Sequence, residues 1–164
     1  MIESLVKEIA QELLDRKMTI GTAESCTSGL IAASLASING ASKYFRGGIV
    51  SYATDLKTKL LHVSNDCILS NDVVSSQVAA SMALGGLGSL DVDMCIAITG
   101  YAGDTGGSEK SPRGTIHICT AKRLHNVTSF NYKMINVNES RGKNIEKCLE
   151  AALETALEHL RKND

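Results

Sequence analysis

The sequence predicts an α/β fold, a three-layer α/β/α sandwich around a mixed, mostly parallel sheet, and three observations carry that expectation. Strand-like and helix-like segments alternate along the chain, the pattern of helices covering both faces of a sheet. Met94-Cys-Ile-Ala-Ile98 is a continuous apolar run, suited to a strand buried on both faces. Two late strand-like segments, 115–121 and 127–137, can pair antiparallel around residues 122–126, which makes the sheet mixed.

Each element has its own signal. Ile2, Leu5, Val6, Ile9 and Leu13 fall at helical spacing and predict an amphipathic helix over 2–17. Residues 18–23 read as a short strand, followed by a helix from about Thr27 to Ile38 that Asn39-Gly40 closes. Residues 48–53 read as the next strand. A helix starting near Thr54 carries Leu56, Leu60 and Leu61, and another covers 75–87. After the apolar strand, 100–113 is a loop rich in glycine and polar side chains. Ile145, Leu149, Ala152, Leu153, Ala156, Leu157 and Leu160 mark a long C-terminal helix. The expectation is one domain over 1–164, with the helical pattern at residue 2 leaving no room for an extra N-terminal domain.

Composition narrows the function. The chain has 164 residues, 43% apolar and 21% charged, with a formal charge of −1, the profile of a globular domain large enough for its own core. That balance lacks the basic footprint of a nucleic-acid or anionic-membrane binder. No apolar run reaches the roughly 20 residues of a membrane span, and the first residues lack the pattern of a signal peptide. The five cysteines are odd in number, with no CxxC pair, and the four histidines are scattered. Reduced thiols in a cytoplasmic protein without a zinc site are the expectation.

The unusual stretches, 24–29, 52–57 and 99–113, all fall at strand ends, where ligands gather in such sheets. Ala23-Glu-Ser-Cys-Thr-Ser-Gly29 turns from strand to helix; the free N–H groups of a helix start suit an anion or a developing oxyanion. Ser25 or Thr27 as a plain helix cap is the competing reading. With Thr54 as N-cap, Lys57 falls in the first helical turn, where the dipole disfavours an ammonium by about 0.3–1 kcal/mol. Bringing a lysine near pKa 7 takes roughly 4–5 kcal/mol, so burial or a nearby cation must supply the rest; otherwise Lys57 is an ordinary surface residue. Thr99-Gly-Tyr-Ala-Gly103, with Gly106, Gly107 and Gly114, is either a wall of close-approaching backbone or a structural turn. There is no Walker loop, no dinucleotide fingerprint and no GxSxG elbow, and no histidine stands beside a candidate serine. A nucleophilic hydrolase built on these residues would use a base other than histidine.

In this order and spacing the three segments resemble the CinA C-terminal domain family, whose characterised members are nicotinamide mononucleotide deamidases of the PncC type. The family pattern runs T-x-A-E-S-C-T-G-G-L, then F-x-G-G-x-x-x-Y-x-x-x-x-K-x-x-L-L-x-V, then T-G-x-A-G-P-G-G-G and a G-T-V strand. This chain reads Thr22-Ala-Glu-Ser-Cys-Thr-Ser-Gly-Leu30, Phe45-Arg-Gly-Gly48, Tyr52, Lys57, Leu60-Leu61, Val63, Thr99-Gly-Tyr-Ala-Gly103 and Gly114-Thr-Ile116. The resemblance covers nearly the whole chain.

What it implies is metal-independent amide hydrolysis, nicotinamide mononucleotide and water giving nicotinate mononucleotide and ammonia, with no cofactor. By position Ser25 matches the nucleophile, Lys57 the general base and Tyr52 a tyrosine assisting proton transfer. Thr99 lines the site, Arg141 faces the substrate phosphate, and Glu24, Cys26, Thr27, Gly29 and Gly100 complete the substrate-binding set. Cys26 is the alternative nucleophile, to which the family gives a packing role. The resemblance also implies a cytoplasmic homodimer whose partner is the small-molecule substrate, with neither nucleic acid nor membrane. Four departures stand out: Ser28 replaces a glycine, Asp104-Thr105 replaces Pro-Gly, Ser108-Glu-Lys-Ser-Pro-Arg113 replaces the usual T-P-E-K-P-V, and Ile145 stands where a second arginine is usual. They motivate the alternative of a nucleotide-binding or partner-binding module without turnover, or an enzyme for a related amide.

Overall fold

In a computed structural model, which describes residues 1–163, the chain folds as a five-stranded sheet between two helical layers. The strands are β1 (Ile20–Glu24), β2 (Phe45–Val50), β3 (Met94–Gly100), β4 (Thr115–Leu124) and β5 (Val127–Asn136), in the spatial order β2-β1-β3-β4-β5. β1 pairs parallel with both β2 and β3, whereas β4 pairs antiparallel with β3 and with β5. Four strands therefore point one way and β4 alone is reversed. The sheet is mixed and mostly parallel in direction, although its pairings divide evenly.

The helices are α1 (Ile2–Arg16), α2 (Leu30–Leu35), α3 (Thr54–Leu61), α4 (Asn65–Asn71), α5 (Ser76–Leu90) and α6 (Arg141–Arg161). α1, α2 and α6 cover one face, and α5, backed by α3 and α4, covers the other. Strand β3 shows why the faces differ. Met94, Ile96 and Ile98 point into the α1/α6 core, while Cys95 and Ala97 point toward α5. Large side chains fill one layer, and small ones let α5 lie close to the sheet on the other. α5 meets them with Gly86, where a Cβ would strike the Cys95 sulfur, and meets α3 with Gly85, where a Cβ would strike the Leu61 carbonyl.

Several elements differ from the sequence reading. α2 starts at Leu30 rather than near Thr27, because Ser28 and Gly29 hold left-handed backbone, φ 50° and 96°. β2 begins at Phe45, three residues early, where it meets Ile20 of β1. α4 was not anticipated; its seven residues, Asn-Asp-Cys-Ile-Leu-Ser-Asn, carry no fully buried side chain and hence no helical apolar stripe to read.

The chain order and spatial order together fix where a ligand site can lie. From β1 the chain moves outward to β2, then crosses back over β1 to reach β3. The carboxyl ends of β1 and β3 therefore flank a topological switch point, the usual ligand crevice of open α/β sheets.

Two glycines of α5 separate packing from propensity. Gly85→Ala should lower unfolding free energy by about 2 kcal/mol or more, overpacking outweighing the roughly 1 kcal/mol helix-propensity gain. Gly88→Ala, where an added Cβ meets nothing within 4 Å, should raise it by about 0.5–1 kcal/mol. Urea denaturation of both variants checks the pair.

Candidate active site

A cleft of about 350 Å³ opens at the switch point, lined by residues from the ends of β1, β2 and β3 and the start of α6. That volume suits a small ligand. Ser25 stands at its floor directly after β1, and Lys57 reaches in from α3. Lys57 Nζ lies 3.0 Å from Ser25 Oγ, 2.6 Å from the Ser51 carbonyl and 3.4 Å from the Tyr52 carbonyl. The side chain is 1% exposed, and no carboxylate pairs with it among the described residues. Burial pulls its ammonium down from 10.5 to about 8.

Those three oxygens suit both protonation states. As an ammonium, Lys57 donates one proton to each. As an amine, it donates two protons to the carbonyls of Ser51 and Tyr52, which turns its lone pair toward the Ser25 hydroxyl. The competing reading of Lys57 as an exposed surface lysine is overturned by its burial. The helix dipole contributes little; Ala53, not Thr54, is the N-cap, and desolvation does most of the tuning.

Glu24 takes the role that the sequence suggested for Ser25 or Thr27. Its fully buried carboxylate accepts the N–H groups of Ile31 and Ala32, each at 3.0 Å, so it is Glu24 that caps α2. It also accepts the hydroxyls of Thr27 at 2.7 Å and Thr22 at 3.0 Å. The start of α2 is thus already occupied by an anion. The N–H groups of Cys26 and Thr27, in the turn before it, find no acceptor on another residue among those described. Glu24, Thr27 and Gly29 lie outside the cleft lining; they shape the turn that presents Ser25.

The other expected residues line the cleft. Thr99 Oγ1 donates to the Val73 carbonyl at 3.0 Å. Gly100 lies against Ile116 so closely that a Cβ would collide. The Tyr52 phenol is not at the Ser25–Lys57 pair: it accepts a hydrogen bond from Arg141 Nη2 at 3.0 Å, at the cleft mouth. Its backbone carbonyl is what approaches Lys57. Cys26 is buried beside Cys148 of α6, and sharing a proton with that thiol, together with burial, pushes the Cys26 thiol well above its ordinary value.

Sequence reasoning missed Ser51, which acts through its carbonyl and leaves no side-chain signature. It also missed Val73 and Val74, which follow the unanticipated α4 and line the cleft. A third omission is Asn144, a buried residue of α6. Its amide donates to the Ala102 carbonyl and accepts from the Glu139 N–H, tying the cleft wall to the base of Arg141. The side chains of Ser28, which is exposed, and of Asp104 both stand outside the lining. Of the departures from the family pattern, Ser28 and Asp104 leave the lining unaltered, whereas Thr105, where a glycine is usual, enters it.

Fold and site together define an α/β/α protein with a buried serine–lysine pair at its switch point. Residues 2–160 match the family model described as the CinA C-terminal domain. A CinA-like protein of Prochlorococcus marinus is 39% identical over 139 residues, covering 85% of this chain and 32% of that protein. One from Flavobacterium psychrophilum is 38% identical over 161 residues, covering 98% and 38%. The chain thus spans about a third of the length of these relatives. Among solved structures, competence/damage inducible protein CihA of Agrobacterium tumefaciens superposes with TM-score 0.87 at 33% identity, covering 98% of this chain and 96% of that one. Competence damage-inducible protein A of Klebsiella pneumoniae gives 0.89 at 28% identity, covering 99% of both. The chain belongs to the CinA C-terminal domain family. No helix among the described residues is long and apolar enough to cross a membrane.

Glu24→Ala would strand two hydroxyls and two backbone N–H groups in a buried turn. Unsatisfied buried donors cost about 1–3 kcal/mol each, partly relieved by relaxation. The expected loss is about 3 kcal/mol or more of unfolding free energy, read by urea denaturation.

Proposed function

We propose that the protein is a metal-independent serine amidohydrolase that converts nicotinamide mononucleotide to nicotinate mononucleotide and ammonia, in pyridine-nucleotide recycling. One observation carries this reading: the Lys57 amine, buried without a counter-ion, lies 3.0 Å from the Ser25 hydroxyl. A serine becomes a useful nucleophile when a neighbouring base takes its proton, and a lysine held near 8 is such a base close to neutral pH.

In the proposed reaction Ser25 Oγ attacks the carboxamide carbon while its proton passes to Lys57 Nζ. The carbonyl electron pair moves onto oxygen, and the Cys26 and Thr27 N–H groups, which bond no other described residue, are the proposed donors for that oxyanion. The pair then returns, the C–N bond breaks, and Lys57 hands its proton to the departing nitrogen, releasing ammonia. Water, deprotonated by Lys57, cleaves the acyl-serine ester and restores both groups. Arg141 at the mouth supplies a planar cation for the substrate phosphate, and Tyr52 holds that guanidinium in place. Ser28 and Asp104 stand outside the lining while Thr105 enters it, so it is the intact Ser25–Lys57 pair that favours the enzyme reading over a module that has lost turnover. The cytoplasmic location and the homodimer implied by the resemblance are part of the same proposal.

Ammonia release from nicotinamide mononucleotide, measured with chelator present, tests the mechanism. Ser25→Ala and Lys57→Ala should each lower kcat by about 10³-fold or more. Persistence of turnover in Ser25→Ala would return Cys26 to candidacy, and an inactive wild-type protein that still binds the nucleotide would make it a binding module.

The active form of Lys57 is the neutral amine, so the pH dependence has a fixed sign. Wild-type kcat/KM should rise about tenfold per pH unit below an inflection near 8 and level off above it. A pH profile that is flat from 6 to 9 would exclude Lys57 as the base.

A further inference from the structure

A second cavity of about 430 Å³ lies on the other side of the 105–113 loop, between the N-terminus of α5 and the β4–β5 hairpin. It shares no residue with the catalytic cleft. We propose that it binds a phosphate-type oxyanion, either free or as the terminal group of a phosphate monoester. This inference does not depend on the amidase reading.

The first argument is the helix. α5 is fifteen residues long, and its N-cap, Ser75, accepts only the Val78 N–H through its side chain. The N–H groups of Ser76 and Gln77, both in the cavity lining, have no intrahelical acceptor. They sit at the positive end of the helix dipole, where an anion is stabilised.

The second argument is independent of the helix and comes from β4. Thr115 is 6% exposed and His117 8% exposed, and both line the cavity. The Thr115 hydroxyl has no hydrogen-bond partner among the described residues. Every side-chain nitrogen or oxygen sealed from solvent among those residues does have one. The unpaired hydroxyl therefore opens onto the cavity its residue lines. His117 is similar on one edge: Nδ1 lies 2.6 Å from the Tyr132 hydroxyl, while Nε2 is unpaired. In the tautomer in which the phenol donates to Nδ1, Nε2 carries the ring proton and is a donor for the cavity that His117 lines.

The third argument is polarity. Lys110 contributes an ammonium, and Asn136 an amide, to the same lining. Among the described residues no Asp or Glu lines it. The Lys110 ammonium spends one proton on the Ser70 carbonyl at 3.0 Å, and two backbone N–H groups, a hydroxyl, an imidazole and that ammonium on one lining without a carboxylate match a tetrahedral oxyanion better than a cation. The loop between the two cavities is pinned at its far end, where Ser111 Oγ donates to the Val74 carbonyl at 2.6 Å. Val74 also lines the catalytic cleft.

The test is a titration of inorganic phosphate into the full ¹⁵N-labelled chain, followed by amide chemical shifts. Saturable shifts at Ser76, Gln77 and His117 are expected. They should persist in Arg141→Ala, which removes the cation of the other cleft. Thr115→Val, nearly isosteric, should weaken the phosphate affinity read at these amides by about fivefold, and Lys110→Met by a similar factor. Lys110 is exposed, so the second variant decides the matter if the first is poorly folded. A parallel titration with a mononucleotide separates the sources: a stronger effect at the same amides marks a monoester, a weaker one the free anion. Absence of shifts at Ser76 and Gln77, or affinities unchanged in both variants, would overturn the proposal.

Discussion

The burial of one amine without a counter-ion constrains the rest of the site. Holding Lys57 near 8 instead of 10.5 corresponds to about 3 kcal/mol of disfavoured ammonium at neutral pH. That penalty falls on the folded state, and the two packed layers of the sandwich offset it. A second buried lysine, Lys122, has different surroundings. Lys122 Nζ lies 2.8 Å from the His159 carbonyl and 3.2 Å from that of Lys162, at the end of α6, the negative end of a helix dipole. Lys57 instead sits in the first turn of α3, with a hydroxyl as its third partner. The two lysines are equally enclosed; what they face differs, and the chemistry open to each differs with it.

Glu24 is the counterpart of that arrangement. A buried carboxylate is tolerated when its oxygens are fully hydrogen-bonded, and Glu24 accepts four donors. By fixing Thr27 and the start of α2, Glu24 fixes the turn that runs from itself to the helix, and that turn carries Ser25. Backbone strain at Ser28, a non-glycine at φ 50°, is of order 1 kcal/mol. It is sustained because the carboxylate and the following Gly29 determine the path on either side. Ser25 and Lys57 thus come from separate elements, the turn after β1 and the helix α3.

Much of this was legible because periodicity and strand ends are written in side chains. The continuous apolar run at Met94–Ile98, the C-terminal heptad-like leucines and the hairpin around residues 122–126 all map onto observed elements. The site was legible as three unusual strand ends. Illegible parts acted through backbone or long-range contact. The Ser51 carbonyl, the Glu24 cap reaching seven and eight residues ahead, and the Asn144 clamp on Ala102 leave no local pattern. Capping by Ser25 or Thr27 was the natural local reading, and a buried glutamate in the preceding strand displaced it.

The same physics decides between the two adjacent nucleophile candidates. A thiol reacts as thiolate, which needs a nearby cation or a helix N-terminus to lower its pKa. Cys26 has a cation nearby in Arg141, which pulls its thiol down, but the hydrogen bond with Cys148 and burial outweigh it and hold the thiol well above its ordinary value, while Glu24 fills the start of α2. Ser25 needs no ionised ground state, only a base aligned with its hydroxyl at the moment of attack. Two backbone carbonyls hold Lys57 in that alignment. The turn therefore offers the Ser25 side chain to Lys57 and the Cys26 side chain to the core, and the proposed choice of serine follows from where the lone pair of Lys57 points.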